Sequence, residues 1–100
     1  MRRHIKGLKE LETKRKEILR VAKVHGARNV RVFGSVARSR TKPASDVDFL
    51  VEMEAGRTLL DLVGLWQDLE DLLGCKVDVV TEGGVSPYLR DRILDEAVLL

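Results

Sequence analysis

Asp46 and Asp48 flank a single valine, and ten residues separate Asp46 from an upstream glycine-serine pair, Gly34-Ser35. In a strand, side chains two residues apart point to the same face, about 7 Å from each other. Two like charges at that distance repel, and a bound cation relieves the repulsion. We therefore expect Asp46 and Asp48 to bind metal, while Val47 and its alternate neighbours take the buried face.

A third carboxylate, Asp78, lies in the otherwise apolar run Val77-Asp78-Val79-Val80. Such a group is costly unless it is paired, hydrogen-bonded or bound to metal. If its strand lies beside that of Asp46 and Asp48, the three carboxylates converge on a site suited to Mg²⁺ or Mn²⁺. Two ions about 3.5–4 Å apart can hold the attacking and leaving oxygens of a phosphoryl displacement. Asp46 and Asp48 would hold both ions, and Asp78 would complete one site and take the acceptor's hydroxyl proton.

The glycine-serine turn is the candidate phosphate site. Gly34 lets the backbone approach a phosphate closely, and Ser35 can donate its hydroxyl. At a helix N-terminus, backbone N–H groups also point at the anion. Arg38 follows one helical turn later and could reach the outer phosphates.

The elements that must position these groups follow an α-β-α-β-α-β-α order, which favours a mixed α/β fold with helices packed on a sheet. The predicted elements are a helix over 5–25, a strand around 30–33, a short helix after the turn, a strand over 46–51, a helix over 58–73, a strand over 76–81, a helix from 86, and a closing strand or helix end at 98–100.

The clearest of these elements is the helix over 58–73. Thr58 and Asp61 have the spacing of a capping box, and Gly74 is placed to end the helix. Trp66 lies at the centre of its apolar stripe, so we expect a core residue rather than a platform for a base. We expect His25, beside a basic helix, to lie on the surface.

The composition indicates one small globular domain, residues 1–100, with 44% hydrophobic residues. Cys75 is the only cysteine, so no internal disulfide can form, which fits a reducing cytoplasm. No apolar stretch approaches the roughly 20 residues of a membrane span. We expect a cytoplasmic protein with no membrane association.

Charge is divided unevenly along the chain. Residues 1–45 hold 14 basic and 3 acidic residues, whereas residues 46–100 hold 4 basic and 13 acidic residues. A basic segment attracts polyanions, although it can equally be a solvated helix face. Nucleic acid is the less favoured partner, because no aromatic residues interleave the basic stretch to stack on bases.

Gly34-Ser35-Val36-Ala37-Arg38, followed by Ser45-Asp46-Val47-Asp48 and a later lone Asp78, resembles the minimal nucleotidyltransferases of the DNA polymerase β-type superfamily. The resemblance implies a small nucleotidyltransferase fold with two Mg²⁺ or Mn²⁺ ions. It implies metal binding and catalysis by Asp46, Asp48 and Asp78. It also implies nucleotide binding by Gly34, Ser35, Arg38 and Ser45.

For the reaction, the resemblance implies transfer of a nucleoside monophosphate, AMP from ATP, to a tyrosine hydroxyl of a partner HEPN-domain toxin. Many relatives have a glycine where this chain has Ser39, and large relatives carry a further domain that holds the acceptor. A partner chain would therefore supply the acceptor here. The alternatives are a non-catalytic antitoxin that occludes its toxin, and a transferase acting on a small molecule or an RNA end. Self-association is also left open.

Overall fold

The computed structural model describes residues 8–34 and 47–100, and within these ranges four strands form one mixed sheet. The strands are β1 (Ala27–Phe33), β2 (Val47–Met53), β3 (Val77–Thr81) and β4 (Val98–Leu99), in the spatial order β3-β2-β1-β4. Strands β2 and β3 are parallel, whereas β1 is antiparallel to both β2 and β4. The predicted mixed α/β fold is confirmed, and the chain closes on a strand.

The helices of the described ranges are α1 (Leu8–Thr13), α2 (Arg15–Val24), α3 (Leu59–Leu73) and α4 (Pro87–Glu96), with a 3₁₀ turn over Glu82–Gly84. The prediction of one continuous helix over 5–25 was wrong. At Lys14 the backbone leaves helical geometry, with φ −106° and ψ 11°, and its N–H bonds to the Leu11 carbonyl at 3.0 Å. This tighter turn separates α1 from α2, and residues 5–7 lie outside the described ranges.

One face of the sheet carries the main core. Alternate residues of β2, such as Val47, Phe49 and Val51, are fully buried there. Helices α1, α2 and α3 pack on this face through their own buried side chains. The largest of these are Leu11, Ile18, Leu65, Leu69 and Leu73. Burial of this apolar surface is the principal force that fixes β2 and β3 side by side.

The opposite face is covered in part by the segment after β3. Leu50, which points away from the main core, is only 1% exposed. It lines a narrow cleft together with Val85, Ile93 and Leu94. Helix α4 begins as predicted, with Pro87 in its first turn and the Ser86 hydroxyl accepting from the Tyr88 N–H at 3.4 Å. None of the helices in the described ranges combines the length and apolar character needed to cross a bilayer.

Both ends of α3 agree with the sequence prediction. The Asp61 carboxylate accepts a hydrogen bond from the Thr58 N–H at 2.8 Å. At the other end Gly74 has the left-handed conformation, with φ 67° and ψ 24°, and its N–H bonds to the Glu70 carbonyl. These signals set the length of α3, and with it the position of its side chains against β3.

Replacing Asp61 by Asn is expected to flatten the acid dependence of stability. The hydrogen bond from the Thr58 N–H, supported by the Arg57 charge, lowers the pKa of Asp61 below its ordinary value of 3.8. A lowered pKa stabilises the folded state above about pH 4, and this stabilisation is lost as the pH falls through the folded-state pKa. In urea unfolding at a series of pH values, the native protein should lose stability more steeply below about pH 4 than D61N. Parallel profiles would contradict this role.

Candidate active site

Two of the three predicted aspartates lie next to each other across the parallel strands. The register pairs Asp48 of β2 with Asp78 of β3, and paired strands lie about 4.8 Å apart. On the other side of Asp48 the register places Phe33 of β1. The two carboxylates therefore lie at the edge of the sheet where β1 ends and where β2 and β3 begin.

Asp48 and Asp78 point away from the main core. Each is half-buried, whereas the residues before and after it in its strand are buried. This is the alternation of side chains that a strand imposes. The sequence predicted the buried face of β2, and this prediction is confirmed. The condition on which convergence with Asp78 depended, that β3 lies beside β2, is met.

Gly34 lies directly against the Asp48 carboxylate. Its φ of +76° is in the left-handed region, which favours glycine. A Cβ built on Gly34 would overlap the Oδ2 atom of Asp48. Only a residue with no side chain lets the backbone pass this close to the carboxylate. Gly34 therefore brings the start of the turn into contact with Asp48.

Four predicted site residues, Ser35, Arg38, Ser45 and Asp46, lie outside the described residues. In the part that is described, no cluster of three or more His, Cys, Asp or Glu side chains is arranged to hold a metal ion. The structure thus brings together Gly34 and two carboxylates, and the three-carboxylate site still requires Asp46.

The carboxylates of Asp48 and Asp78 are ligands of the kind that a hard divalent cation prefers. Mg²⁺ and Mn²⁺ prefer oxygen ligands and are held by one or two carboxylates plus substrate phosphates. The in-register pair Asp48 and Asp78 supplies such carboxylates.

Glu52, further along the same face of β2, belongs to a different arrangement. Its carboxylate accepts hydrogen bonds from Asn29 Nδ2 at 2.6 Å and from Arg28 Nη2 at 3.1 Å. The bond from Asn29 and then the Arg28 guanidinium lower the pKa of Glu52. The register places Glu52 beside Arg28, four residues along β2 from Asp48, so we leave it out of the candidate metal site.

Sequence reasoning missed two polar contacts of α3 near the site. The Trp66 Nε1–H donates to the Val77 carbonyl at 2.8 Å, and a Glu70 carboxylate oxygen accepts from the Val77 N–H at 3.2 Å. Trp66 packs against the core as predicted, but the apolar stripe gave no sign of its hydrogen bond. The available signal was the four-residue spacing of Trp66 and Glu70, which places both on one helix face.

The prediction that His25 lies on the surface was wrong. Its side chain is only 20% exposed, and its Nε2 lies 2.6 Å from a carboxylate oxygen of Asp68. The ring also packs over Gly64, where any side chain would collide with it. His25 therefore joins the end of α2 to the middle of α3.

Comparison with known proteins decides the family. The family model described as a nucleotidyltransferase domain matches residues 2–100. A Methanocaldococcus jannaschii protein, provisionally named a protein adenylyltransferase, is 49% identical over 87 residues, which cover 87% of this chain and 92% of that protein. The chain belongs to the nucleotidyltransferase family. The protein adenylyltransferase MntA of Thermococcus cleftensis is a further relative of this nucleotidyltransferase, 40% identical over 73 residues and covering 73% of this chain and 74% of that one.

Solved structures agree with this assignment. A structure provisionally described as a minimal nucleotidyltransferase has a TM-score of 0.85 and 49% identity, and the match covers 94% of this chain and 96% of that one. A toxin-antitoxin structure with AMP-PNP has a TM-score of 0.72 at 20% identity, covering 84% of this chain and 69% of that one. The second likeness extends to the fold alone. The predicted minimal nucleotidyltransferase fold is confirmed, and this chain is a nucleotidyltransferase.

Proposed function

We propose that this nucleotidyltransferase transfers AMP from ATP to a hydroxyl of a partner protein, a HEPN-domain toxin, and thereby acts as an antitoxin. The observation that carries the proposal is the in-register pair Asp48 and Asp78, with Gly34 against the Asp48 carboxylate. The names of the relatives support protein as the acceptor, since both are called protein adenylyltransferases. Residues 1–100 would then act as a single transferase domain.

Each site residue has a role in this proposal. Asp46, Asp48 and Asp78 would hold two Mg²⁺ or Mn²⁺ ions, which when bound neutralise charge on the triphosphate and on the departing pyrophosphate. Gly34 and Ser35 would receive the triphosphate through backbone N–H groups and the serine hydroxyl. Arg38 and Ser45 would add a cation and a hydroxyl to the same phosphates.

The transfer step itself is an in-line displacement. The acceptor oxygen forms a bond to the α-phosphorus of ATP, and the bond from that phosphorus to the oxygen bridging to the β-phosphate breaks. Pyrophosphate leaves with the electron pair of the broken bond. Asp78, placed beside Asp48, takes the proton of the acceptor hydroxyl.

The toxin would supply the acceptor hydroxyl. Helix α4, beside the sheet face that carries Asp48, has no fully buried residue, and Tyr88 and Leu89 on it are 96% and 50% exposed. The acceptor protein would contact these exposed side chains of α4. Modification of a tyrosine by AMP adds a bulky anionic group, which would silence a ribonuclease by blocking its contact with RNA.

The proposal is tested with a purified HEPN-domain toxin, ATP and Mg²⁺. We expect one adenylyl group on a tyrosine of that protein, located by mass spectrometry, and recovery of growth in cells that express the toxin. The matched control is the double variant D46N/D48N. Equal modification by this variant would overturn the proposal, and full neutralisation of the toxin by it without modification would favour occlusion.

A further inference from the structure

The residue before Asp78 is held from outside the sheet. β3 is the terminal strand of the described sheet, on the side away from β4. In a parallel ladder, successive residues direct their N–H and C=O groups to opposite sides. The Val47 N–H bonds to the Lys76 carbonyl at 3.2 Å, so the polar groups of Val77 point away from β2.

One helix face satisfies both polar groups of Val77. Trp66 Nε1–H donates to its carbonyl at 2.8 Å, and Glu70 Oε2 accepts from its N–H at 3.2 Å. Trp66 and Glu70 are one turn apart on α3, so they reach the same residue side by side. Without these two side chains, the N–H and C=O of Val77 at the sheet edge would bond to water, and the strand could shift.

The pair of hydrogen bonds from Trp66 and Glu70 to Val77, here called the clamp, is anchored on a well-packed part of the molecule. The Val77 side chain is fully buried, and α3 is fixed by buried leucines on its inner face. Those leucines are Leu65, Leu69 and Leu73. The backbone immediately before Asp78 is thus held by β2 on one side, by α3 on the other and by the core beneath.

We propose that Trp66 and Glu70 are positioning residues that set the Asp78 carboxylate for metal binding and for acceptance of the hydroxyl proton. The inference rests on the proposed function, because it assigns Asp78 those roles. Neither side chain touches the reacting groups. They act through the Val77 peptide, one residue before Asp78. Loss of a group bonded directly to a metal ligand typically lowers metal affinity by roughly 10- to 100-fold, so contacts one residue removed should have effects at the low end of that range.

The variants that test this are Trp66→Phe, which removes the N–H donor, and Glu70→Ala, which removes the acceptor. Glu70→Gln keeps an acceptor oxygen for the Val77 N–H. Ile18→Val, in the fully buried part of α2, controls for a general loss of core packing. Mn²⁺ binding without nucleotide is followed by electron paramagnetic resonance of the free ion, and transfer is followed as kcat and as KM for ATP.

We expect W66F and E70A to weaken Mn²⁺ binding roughly tenfold and to lower kcat, with KM for ATP changed less than about twofold. E70Q should restore binding and kcat, and I18V should leave both unchanged. Native Mn²⁺ binding in both W66F and E70A, or failure of E70Q to rescue, would overturn the inference. If the native protein binds Mn²⁺ and these variants weaken it but no transfer to protein occurs, the proposed function fails while the positioning role stands.

Discussion

Replacing Asp48 by Asn is expected to lower the rate of AMP transfer about a thousandfold or more, the scale for loss of a principal electrostatic contribution. Asp48 is proposed to contact both metal ions and lies in register with Asp78, so its loss removes charge from the centre of the site. The fold should survive, because Asp48 is half-buried and Asn has nearly the same shape. The measurement is kcat/KM for transfer at saturating Mg²⁺.

The control for this variant is Glu52→Gln, which makes the same change of charge on the same face of β2. Glu52 lies beside Arg28, four residues along β2 from Asp48, so its replacement should change kcat/KM less than about threefold. A second comparison uses thermal unfolding. Mg²⁺ should raise the melting temperature of the native protein and of E52Q but not of D48N, because only a folded state that binds the ion is stabilised by it. Equal losses of activity in D48N and E52Q would show that Asp48 has no special place in the site.

Replacing Gly34 by Ala is the second change with a large expected effect. The new Cβ would overlap the Asp48 carboxylate, and alanine at φ +76° carries backbone strain of about 1–2 kcal/mol. We expect this loss of stability together with a fall in kcat/KM of about a hundredfold, because misplacement of a reacting group by about 1 Å has costs on that scale. Urea unfolding and transfer kinetics measure the two effects separately.

Gly56→Ala separates the strain from the collision. Gly56 has a similar φ of +87°, and no atom of the described residues lies within 4 Å of the place its Cβ would take. This variant should lose only the stability that the backbone strain costs, about 1–2 kcal/mol, and keep its activity. If G56A lost as much activity as G34A, the effect would come from backbone strain in general and not from contact with Asp48.

The sequence was sufficient to predict the parts of the fold that depend on local patterns. Alternation in β2 and the two caps of α3 are set by neighbouring residues, and the structure agrees with both. The apolar stripe expected to run from Leu59 to Leu73 is confirmed at its C-terminal end but wrong at Leu59, which is 73% exposed. The break at Lys14 escaped prediction because the apolar spacing continues across it from Leu11 to Ile18. One turn of different backbone geometry leaves no trace in that pattern.

For the site, the sequence predicted that Asp78 would bind metal together with Asp46 and Asp48, since its charge interrupts an apolar strand. It could not predict contacts that depend on how elements pack. The collision between Gly34 and Asp48, the clamp on Val77 and the pairing of His25 with Asp68 each join segments distant in the chain. Such contacts are fixed by how the strands and helices pack on one another, which no local spacing encodes.

Transfer of label from ATP to the partner toxin is the most direct test of the central claim. The protein is incubated with Mg²⁺, a HEPN-domain toxin, and ATP labelled on either the α- or the γ-phosphorus. The reaction proposed here predicts that the toxin gains label from α-labelled ATP only, and that D48N transfers it at least about a thousandfold more slowly. Label gained from γ-labelled ATP, or equal transfer by D48N, would contradict it.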